Sequence, residues 1–456
     1  MSENPLLKLM NPRSIAFYGA SNSILKMGTH QFLNVVKGGY QGKIYPIHRT
    51  EKTVLGLPAY PTILDVPETP DLVQLVIPTE AVPEALEQCG QKGVKRAIIV
   101  TAGFAEMGPE GRTWQHRVDE VAAEYGLRYL GPNCIGIINC GLGLNTTWFA
   151  LKYPPGGVGI ASQSGTFVTQ TLHYFEKIGL GLSQAISVYL EGVKDGRRLF
   201  EAARRITPHK PIVALYVGGT AAGGRASTSH TAALAGSDAL HDGMFKQAGI
   251  VRAANFAELF DFALALANQP LPAGANMGLM TNSGGPGVAM AHECDLVGLD
   301  LPVFDRKFQA ELRAMTVPTA QTVNPVDITV DNDLRAFFTK LPRAILGRPE
   351  VDGLLFWGII GPIHFRDKMA MAEGLLTLPV DSMVQWLEQT VAEFVGIPGE
   401  LNKPILAGCF AGREDEAVRL IQDGGVPVYP TPERAVRAMA ALVQYQRIRQ
   451  RLGNNG

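Results

Sequence analysis

One histidine in this sequence sits where no core could hold it. The segment from Val217 to Gly236 reads VGGTAAGGRASTSHTAALAG, almost entirely small residues, with His230 the only imidazole. Side chains this small bury nothing, but they let a backbone approach a ligand and change conformation. Histidine is one of the few side chains that accepts a group covalently at neutral pH. An imidazole on a small-residue loop is expected to deliver a group. Its plain alternative is a solvent-exposed loop histidine. His48, His116, His173, His209, His241 and His292 have no comparable surroundings in the sequence.

A delivered anion needs places to dock. Ser162, Gln163, Ser164 and Gly165 follow one short apolar run, and Asn282, Ser283, Gly284 and Gly285 follow another. At a helix start, unpaired N–H groups and the positive dipole end hold phosphate. Serine capping would explain one such motif; two in parallel positions set an anion site level with that alternative. Glu191, at the end of a strand-like run, could orient an imidazole and choose its reacting nitrogen. It could equally be a charge at a helix start. Gly19, Ala20 and Ser21, with Lys26 and Gly28, close the first strand, the usual ligand crevice of a doubly wound sheet. The spacing there is not Gly-x-Gly-x-x-Gly. The second strand ends in His48-Arg49 rather than in the carboxylate that would favour NAD, so a ligand with extra phosphates fits better.

The elements that must position these residues alternate. Strands are expected at Ser14–Gly19, Ile44–Ile47, Leu72–Ile77, Arg96–Thr101 and Arg128–Leu130, with helices at Ala81–Gly90 and Trp114–Tyr125. This βαβ rhythm predicts α/β architecture with parallel sheets. Ser164-Gly165 and Ser283-Gly284 align without gaps, as do Gly179 with Gly298 and Leu182 with Leu301, an internal repeat. Three domains follow, over residues 1–150, 151–270 and 271–456, with breaks near Pro154–Gly157 and Asn268–Ala275. A long basic helix is expected after Thr431. The 456 residues carry 41 basic and 42 acidic side chains, which gives no bulk reason to bind nucleic acid or a membrane surface. Five scattered cysteines without metal spacing suit a reducing cytoplasm, and no metal site is expected.

The ordered motifs match a family. Gly19-Ala-Ser21 with Lys26, Thr101-Ala102-Gly103-Phe104, Gly131-Pro-Asn133-Cys134, Ser162–Gly165, Leu190–Gly196, Ser229–Gly236, Thr281–Gly287 and Asn324–Thr329 occur in this order. The chain resembles the α-subunit portion of NDP-forming acyl-CoA synthetases, relatives of the succinyl-CoA synthetase α subunit. The resemblance implies a Rossmann-like CoA-binding domain followed by two tandem flavodoxin-like domains. It implies that acid, CoA and ATP give acyl-CoA, ADP and phosphate reversibly, through an acyl phosphate and a phosphohistidine on a swinging loop. By motif the histidine is His230 and its steadying carboxylate Glu191. Ser162–Gly165 would hold the phosphoryl group at the CoA side and Asn282–Gly285 at the nucleotide side. Gly19, Ala20, Ser21 and Lys26 would meet the CoA phosphates, with Ile77, Pro78, Thr101–Phe104 and Asn133 along its path.

Nothing in the sequence resembles an ATP-grasp domain. The resemblance therefore implies a separate ATP-grasp β subunit that carries ATP and Mg2+, a small carboxylic acid substrate and a hetero-oligomer. Three departures stand out. The family has about one helix and one strand between the equivalents of Ser187-Val188 and Tyr189-Leu190, which abut here. Either the second domain has lost a βα unit or a segment is missing from the sequence. Ala232 stands where the loop has glycine, and His48-Arg49 where the second strand is followed by Asn-Pro. Two other classes compete: a CoA- or acyl-CoA-binding regulatory protein with reduced catalysis, and an NAD-dependent dehydrogenase, which lacks its acidic ribose contact.

Overall fold

The computed structural model describes residues 7–149, 156, 158–165, 167–168, 171, 174–175, 185–231, 236–329, 333–359 and 380–453, with side chains except at 228–231, 380–384 and 387. The chain divides into two compact units. The first joins Met1–Pro155 to Gln163–Gln170 and Arg225–Leu234, and the second holds Gly156–Ser162, Thr171–Gly224 and Ala235–Gly456.

In the first unit, β1 (Ser14–Tyr18), β2 (Lys43–Ile47), β3 (Leu72–Leu75), β4 (Arg96–Ile99) and β5 (Arg128–Leu130) form a parallel sheet in the order β2-β1-β3-β4-β5. Every residue of β1 and β3 is buried, which is why these strands read as near-continuous apolar runs rather than alternating ones. Helices α1 (Met27–Lys37), α2 (Val82–Gln91) and α3 (Pro109–Tyr125) cover the faces. The strand order reverses between β1 and β3, so the crevice at their carboxyl ends is where a ligand belongs.

The second unit contains two further sheets. Strands β6 (Val158–Ser162), β7 (Ala185–Leu190), β8 (Ile212–Tyr216) and β9 (Val251–Ala253) lie parallel in consecutive order. A flavodoxin-like sheet runs 2-1-3-4-5. Among the described residues this one lacks the strand beyond β6. The abutting residues Ser187 to Leu190 form part of a single strand, paired on both sides. The next sheet, of β10 (Met277–Thr281), β11 (Gln321–Thr322), β12 (Val326–Asp327), β13 (Gly353–Trp357), β14 (Ile405–Gly408) and β15 (Val428–Tyr429), has the order β11-β12-β10-β13-β14-β15, with only β11 antiparallel. Apart from that edge strand it is the complete flavodoxin-like pattern. Both sheets start with a five-residue strand followed by a Ser-Gly helix start, as the repeat predicts. Gly179 and Leu182 lie outside the described residues.

The two sheets of this unit are tied together by side chains. Gln269, in the expected linker, donates to Gly425 O (2.6 Å) and accepts from Ile405 N (2.9 Å). Helix α7 (Phe256–Asn268) presents Asp261 to Arg434 of the terminal basic helix (Pro432–Gly453), in a two-pronged ion pair of 2.6 and 2.7 Å. Arg437, one turn on, reaches Glu293 (2.7 Å) and Glu258 (3.0 Å). An aromatic cluster of Phe337, Phe338, Phe356 and Phe394, all buried, fills the core below β13.

The small-residue segment departs from expectation. It is not a loop but helix α5 (Ala221–Thr231). Thr220 starts it: its hydroxyl accepts from Gly223 N (3.0 Å) and its carbonyl from Gly224 N (2.8 Å). Gly223 is required there, because a Cβ would lie 2.2 Å from Val217 O. Glycines cost about 1 kcal/mol each in a helix interior, but alanine is the best helix former. Composition excluded a core, which is a different matter from excluding a helix.

Candidate functional site

The crevice of the first unit is built by close backbone approach. Gly19 has φ +92°, and a Cβ on it would lie 1.9 Å from Val76 O. Gly28 packs as tightly on Gly19 O, so the turn folds back on the start of α1. Ala20 and Ser21 are buried. Ser21 is held by Thr29 at both N (3.1 Å) and O (3.2 Å), and Asn22 pins the turn to Thr53 O (2.9 Å) and Leu55 N (2.9 Å). Lys26 is exposed at the N-cap of α1, where no side chain caps the first N–H groups. An exposed cation beside uncapped helix N–H groups suits a phosphorylated ligand, so the crevice fits CoA.

The far wall is continuous. The Thr101 hydroxyl donates to Ile77 O (2.6 Å) and accepts from Ile77 N (3.3 Å). Pro78 leads to Thr79, whose hydroxyl donates to Ala102 O (2.8 Å), and Gly103 N donates to Glu106 (2.8 Å) ahead of the fully buried Phe104. Asn133 N donates to Thr101 O (2.9 Å). Two residues on, Ile135 meets Gly165: a Cβ there would lie 2.5 Å from Ile135 Cγ2. The helix start thus joins the crevice wall. Ser164 is buried and its hydroxyl accepts from Phe167 N (3.4 Å), so it caps, while Gln163 is exposed. Arg225–Leu234, the stretch with His230, also belongs to this unit. The His230 side chain and Ala232 lie outside the described residues.

In the second unit, Ser162 ends β6. Glu191 directly follows β7, is 5% exposed, and accepts a hydrogen bond from Tyr189. Burial, and then the Glu191 charge, push the Tyr189 phenol up to about 12. Tyr189 also stacks on Phe256 at 5.7 Å. The sequence reading passed over Tyr189, although alternation along a strand puts residues 189 and 191 on one face. Gly218 backs Glu191: a Cβ would lie 2.2 Å from Glu191 O.

The second Ser-Gly start is more open. Ser283 makes no side-chain cap on α8 (Gly284–Val297), and nothing lies within 4 Å of a Cβ on Gly285. Asn282 is fixed by donating to Gly358 O (3.0 Å), and Thr281 Oγ1 accepts from Ser283 N (2.9 Å). Asp327 stands beside Gly284, 3.2 Å from where its Cβ would be. Asn324 has a structural place: buried, it bonds Leu279 N, Met277 O and Pro302 O at 2.9–3.0 Å.

Two histidines set aside on sequence have built surroundings. His48 Nδ1 accepts from Glu51 N (3.0 Å), shaping the loop after β2. His241 is buried and stacks on Tyr216. The five cysteines are all free, and burial pushes Cys89 and Cys294 up to about 12 and Cys134 to about 11, which leaves these thiols unreactive. Among the described residues no His, Cys, Asp and Glu group could hold a metal, and no helix is long and apolar enough to cross a membrane.

Residues 13–139 match the CoA binding domain family, and residues 183–266 the succinyl-CoA ligase like flavodoxin domain. The class is therefore a CoA-dependent acid–thiol ligase. The α subunit of acetate–CoA ligase (ADP-forming) II of Pyrococcus furiosus is 36% identical over 95% of this chain and 96% of its own. Acetate–CoA ligase (ADP-forming) I of Archaeoglobus fulgidus is 32% identical over 97% of this chain and 64% of its own. The solved dinucleotide forming acetyl-coenzyme A synthetase 1 of Ca. Korarchaeum cryptofilum, in complex with phosphate and ADP, superposes with a TM-score of 0.85 at 30% identity, covering 99% of this chain and 98% of that one. The chain belongs to the ADP-forming acyl-CoA synthetases, as an α subunit.

Proposed function

We propose that this chain ligates a small carboxylic acid to CoA with a partner subunit, and that His230 carries the phosphoryl group. The observation that carries this reading is the match over 95% of the chain to an ADP-forming acetate–CoA ligase α subunit, together with a crevice whose exposed Lys26 and uncapped helix start suit phosphates.

A thiol attacks a carboxylate only once an oxygen has become a good leaving group, and phosphorylation does that. His230 takes the phosphoryl group from ATP and releases ADP. It passes the group to the acid, and the acyl phosphate is then opened by the CoA thiol, with phosphate leaving. Positioning and charge stabilisation supply most of the rate in such transfers. Gly19, Ala20, Ser21 and Lys26 meet the CoA phosphates. Ile77, Pro78, Thr101–Phe104 and Asn133 line its path. Ser162–Gly165 and Asn282–Gly285 are the two phosphoryl docking points, and Glu191 orients the imidazole. ATP and Mg2+ sit on an ATP-grasp β subunit, and the assembly is a cytoplasmic hetero-oligomer. The domains are residues 1–150, 151–270 and 271–456.

Co-expression with an ATP-grasp partner and labelled ATP tests the reading. Acid-labile, base-stable label is expected on the native chain and absent from His230→Asn. No label on His230 with an active partner would sink it, and tight CoA binding without label would favour the regulatory class instead.

A further inference from the structure

We propose that Tyr216 and His241 form the hinge on which the His230 arm is mounted, and are positioning residues for phosphoryl transfer. This rests on the reading of His230 as the carrier.

The arm leaves and returns at one point. It departs after Tyr216, the last residue of β8, through Val217–Thr220. It returns at Gly236 and enters α6 (Asp238–Ala248). At the return, Tyr216 Oη donates to Gly236 O (2.8 Å). The His241 ring lies flat on the Tyr216 ring, with centroids 3.7 Å apart and planes 16° from parallel. His241 Nδ1 faces Ser237 O at 3.0 Å, and since a carbonyl only accepts, this nitrogen carries the proton. Gly236 has no room for a side chain: a Cβ would lie 2.7 Å from His241 Cε1. At the departure, a Cβ on Gly219 would lie 2.4 Å from Asp238 Oδ1 and one on Gly218 2.8 Å from Tyr216 Oη. Asp238 is itself held by Arg252 of β9. Gly218 and Gly219 at the departure and Gly236 at the return therefore pack on the same group of side chains, Tyr216, Asp238 and His241.

Both rings are buried, at 5% and 8% exposure, so neither is available to substrate. The Tyr216 ring packs in the core of this sheet, and its hydroxyl donates to Gly236 O. A carrier must dock accurately at two stops, and it does so only about a fixed pivot. Without the bond the arm has more conformations to lose each time it docks. The transfer rate then falls, while the affinity of each substrate for its own site stays the same.

The test uses the complete heteromer and the variant Tyr216→Phe, which keeps the stack and removes one oxygen. One net buried hydrogen bond predicts a fall in kcat of about five-fold, about 1 kcal/mol, with KM for CoA, ATP and the acid unchanged. In single-turnover experiments, transfer of label from His230 to the acid slows by the same factor. His241→Phe keeps a stacked ring and loses the bond to Ser237 O, and should show the same kcat-only pattern. If Tyr216→Phe labels at His230 and turns over like the native enzyme, the hinge is overturned and the carrier reading stands. If Tm falls while turnover per folded molecule is unchanged, the pair is structural only and the hinge is again overturned. If the native heteromer never labels at His230, the carrier reading fails and the hinge fails with it.

Discussion

Replacing Arg434 with methionine should expose what holds the second unit together. Asp261 is nearly inaccessible, its side chain 4% exposed, and its carboxylate takes both prongs of the Arg434 guanidinium at 2.6 and 2.7 Å. Methionine keeps most of the apolar stem but leaves a carboxylate with no counter-charge in a place water barely reaches. Breaking a buried pair from one side costs about 3–5 kcal/mol. At roughly 2–4 °C per kcal/mol for a body of this size, Tm should fall by roughly 6–20 °C. The loss should also depend on pH. Burial raises the Asp261 carboxyl, and Arg434 opposes that rise. In Arg434→Met burial, and then the Glu258 charge, act unopposed, so the folded-state pKa lies further above the unfolded value. The penalty is then complete at neutral pH and shrinks as acid protonates the carboxyl, disappearing below about pH 4. Calorimetry of Arg434→Met and of Asp261→Asn/Arg434→Met across pH 4–8 checks this. A single variant within 1 kcal/mol of native, or a double variant no more stable than the single, would refute the argument that the orphaned charge sets the cost.

Three further outcomes follow from the geometry. Gly19→Ala forces a Cβ onto Val76 O at a φ that side chains avoid; CoA affinity by calorimetry should drop about ten-fold or more, and native affinity would mean that the turn does not meet the phosphates. Asp71, beside Lys8 and Arg13, is raised by burial but held below the ordinary carboxylate range overall by those two cations. Asp71→Asn should cost about 1–2 kcal/mol at neutral pH, and the difference from native should start to shrink as pH falls below about 4 and be lost once pH passes the lower folded-state value; a pH-independent difference in urea titrations would count against the pairing. Gly358→Ala would drive a Cβ to 1.8 Å from Asn282 Oδ1, so labelling of His230 by ATP should slow while transfer from pre-labelled His230 to the acid proceeds normally. Equal slowing of both steps would remove Asn282 from the nucleotide side.

Much of the scaffold was legible because it is local. The buried strands are unbroken apolar runs, and Gly19 marks its own turn. The Ser-Gly repeat announced two helix starts. Family membership came from the order of such motifs. What stayed hidden is of two kinds. Helix α5 has no apolar stripe, so periodicity was silent, and its start rests on one threonine. The contacts that hold the arm are long-range: Tyr216 and His241 are far apart in sequence, and nothing in a lone histidine announces a stack. Tyr189 was within reach, since it shares a strand face with Glu191. His230 and Glu191 were named from the motif, and the geometry adds Tyr189 and Gly218 beside Glu191.

Among the described residues the sheet beside Glu191 has no strand beyond β6, and this bears on descent. In a 2-1-3-4-5 sheet the second strand is the rim strand, with one neighbour only. Shedding it costs the pairings to that neighbour and leaves every other register as it was. Here Ser162 still faces Tyr189 across β6 and β7, and Leu190 still faces Tyr216 across β7 and β8. The position of Glu191 is therefore set by inner strands, and a change at the rim leaves it in place. A rim unit of this kind can be gained or shed during descent without moving the residues that the inner strands hold.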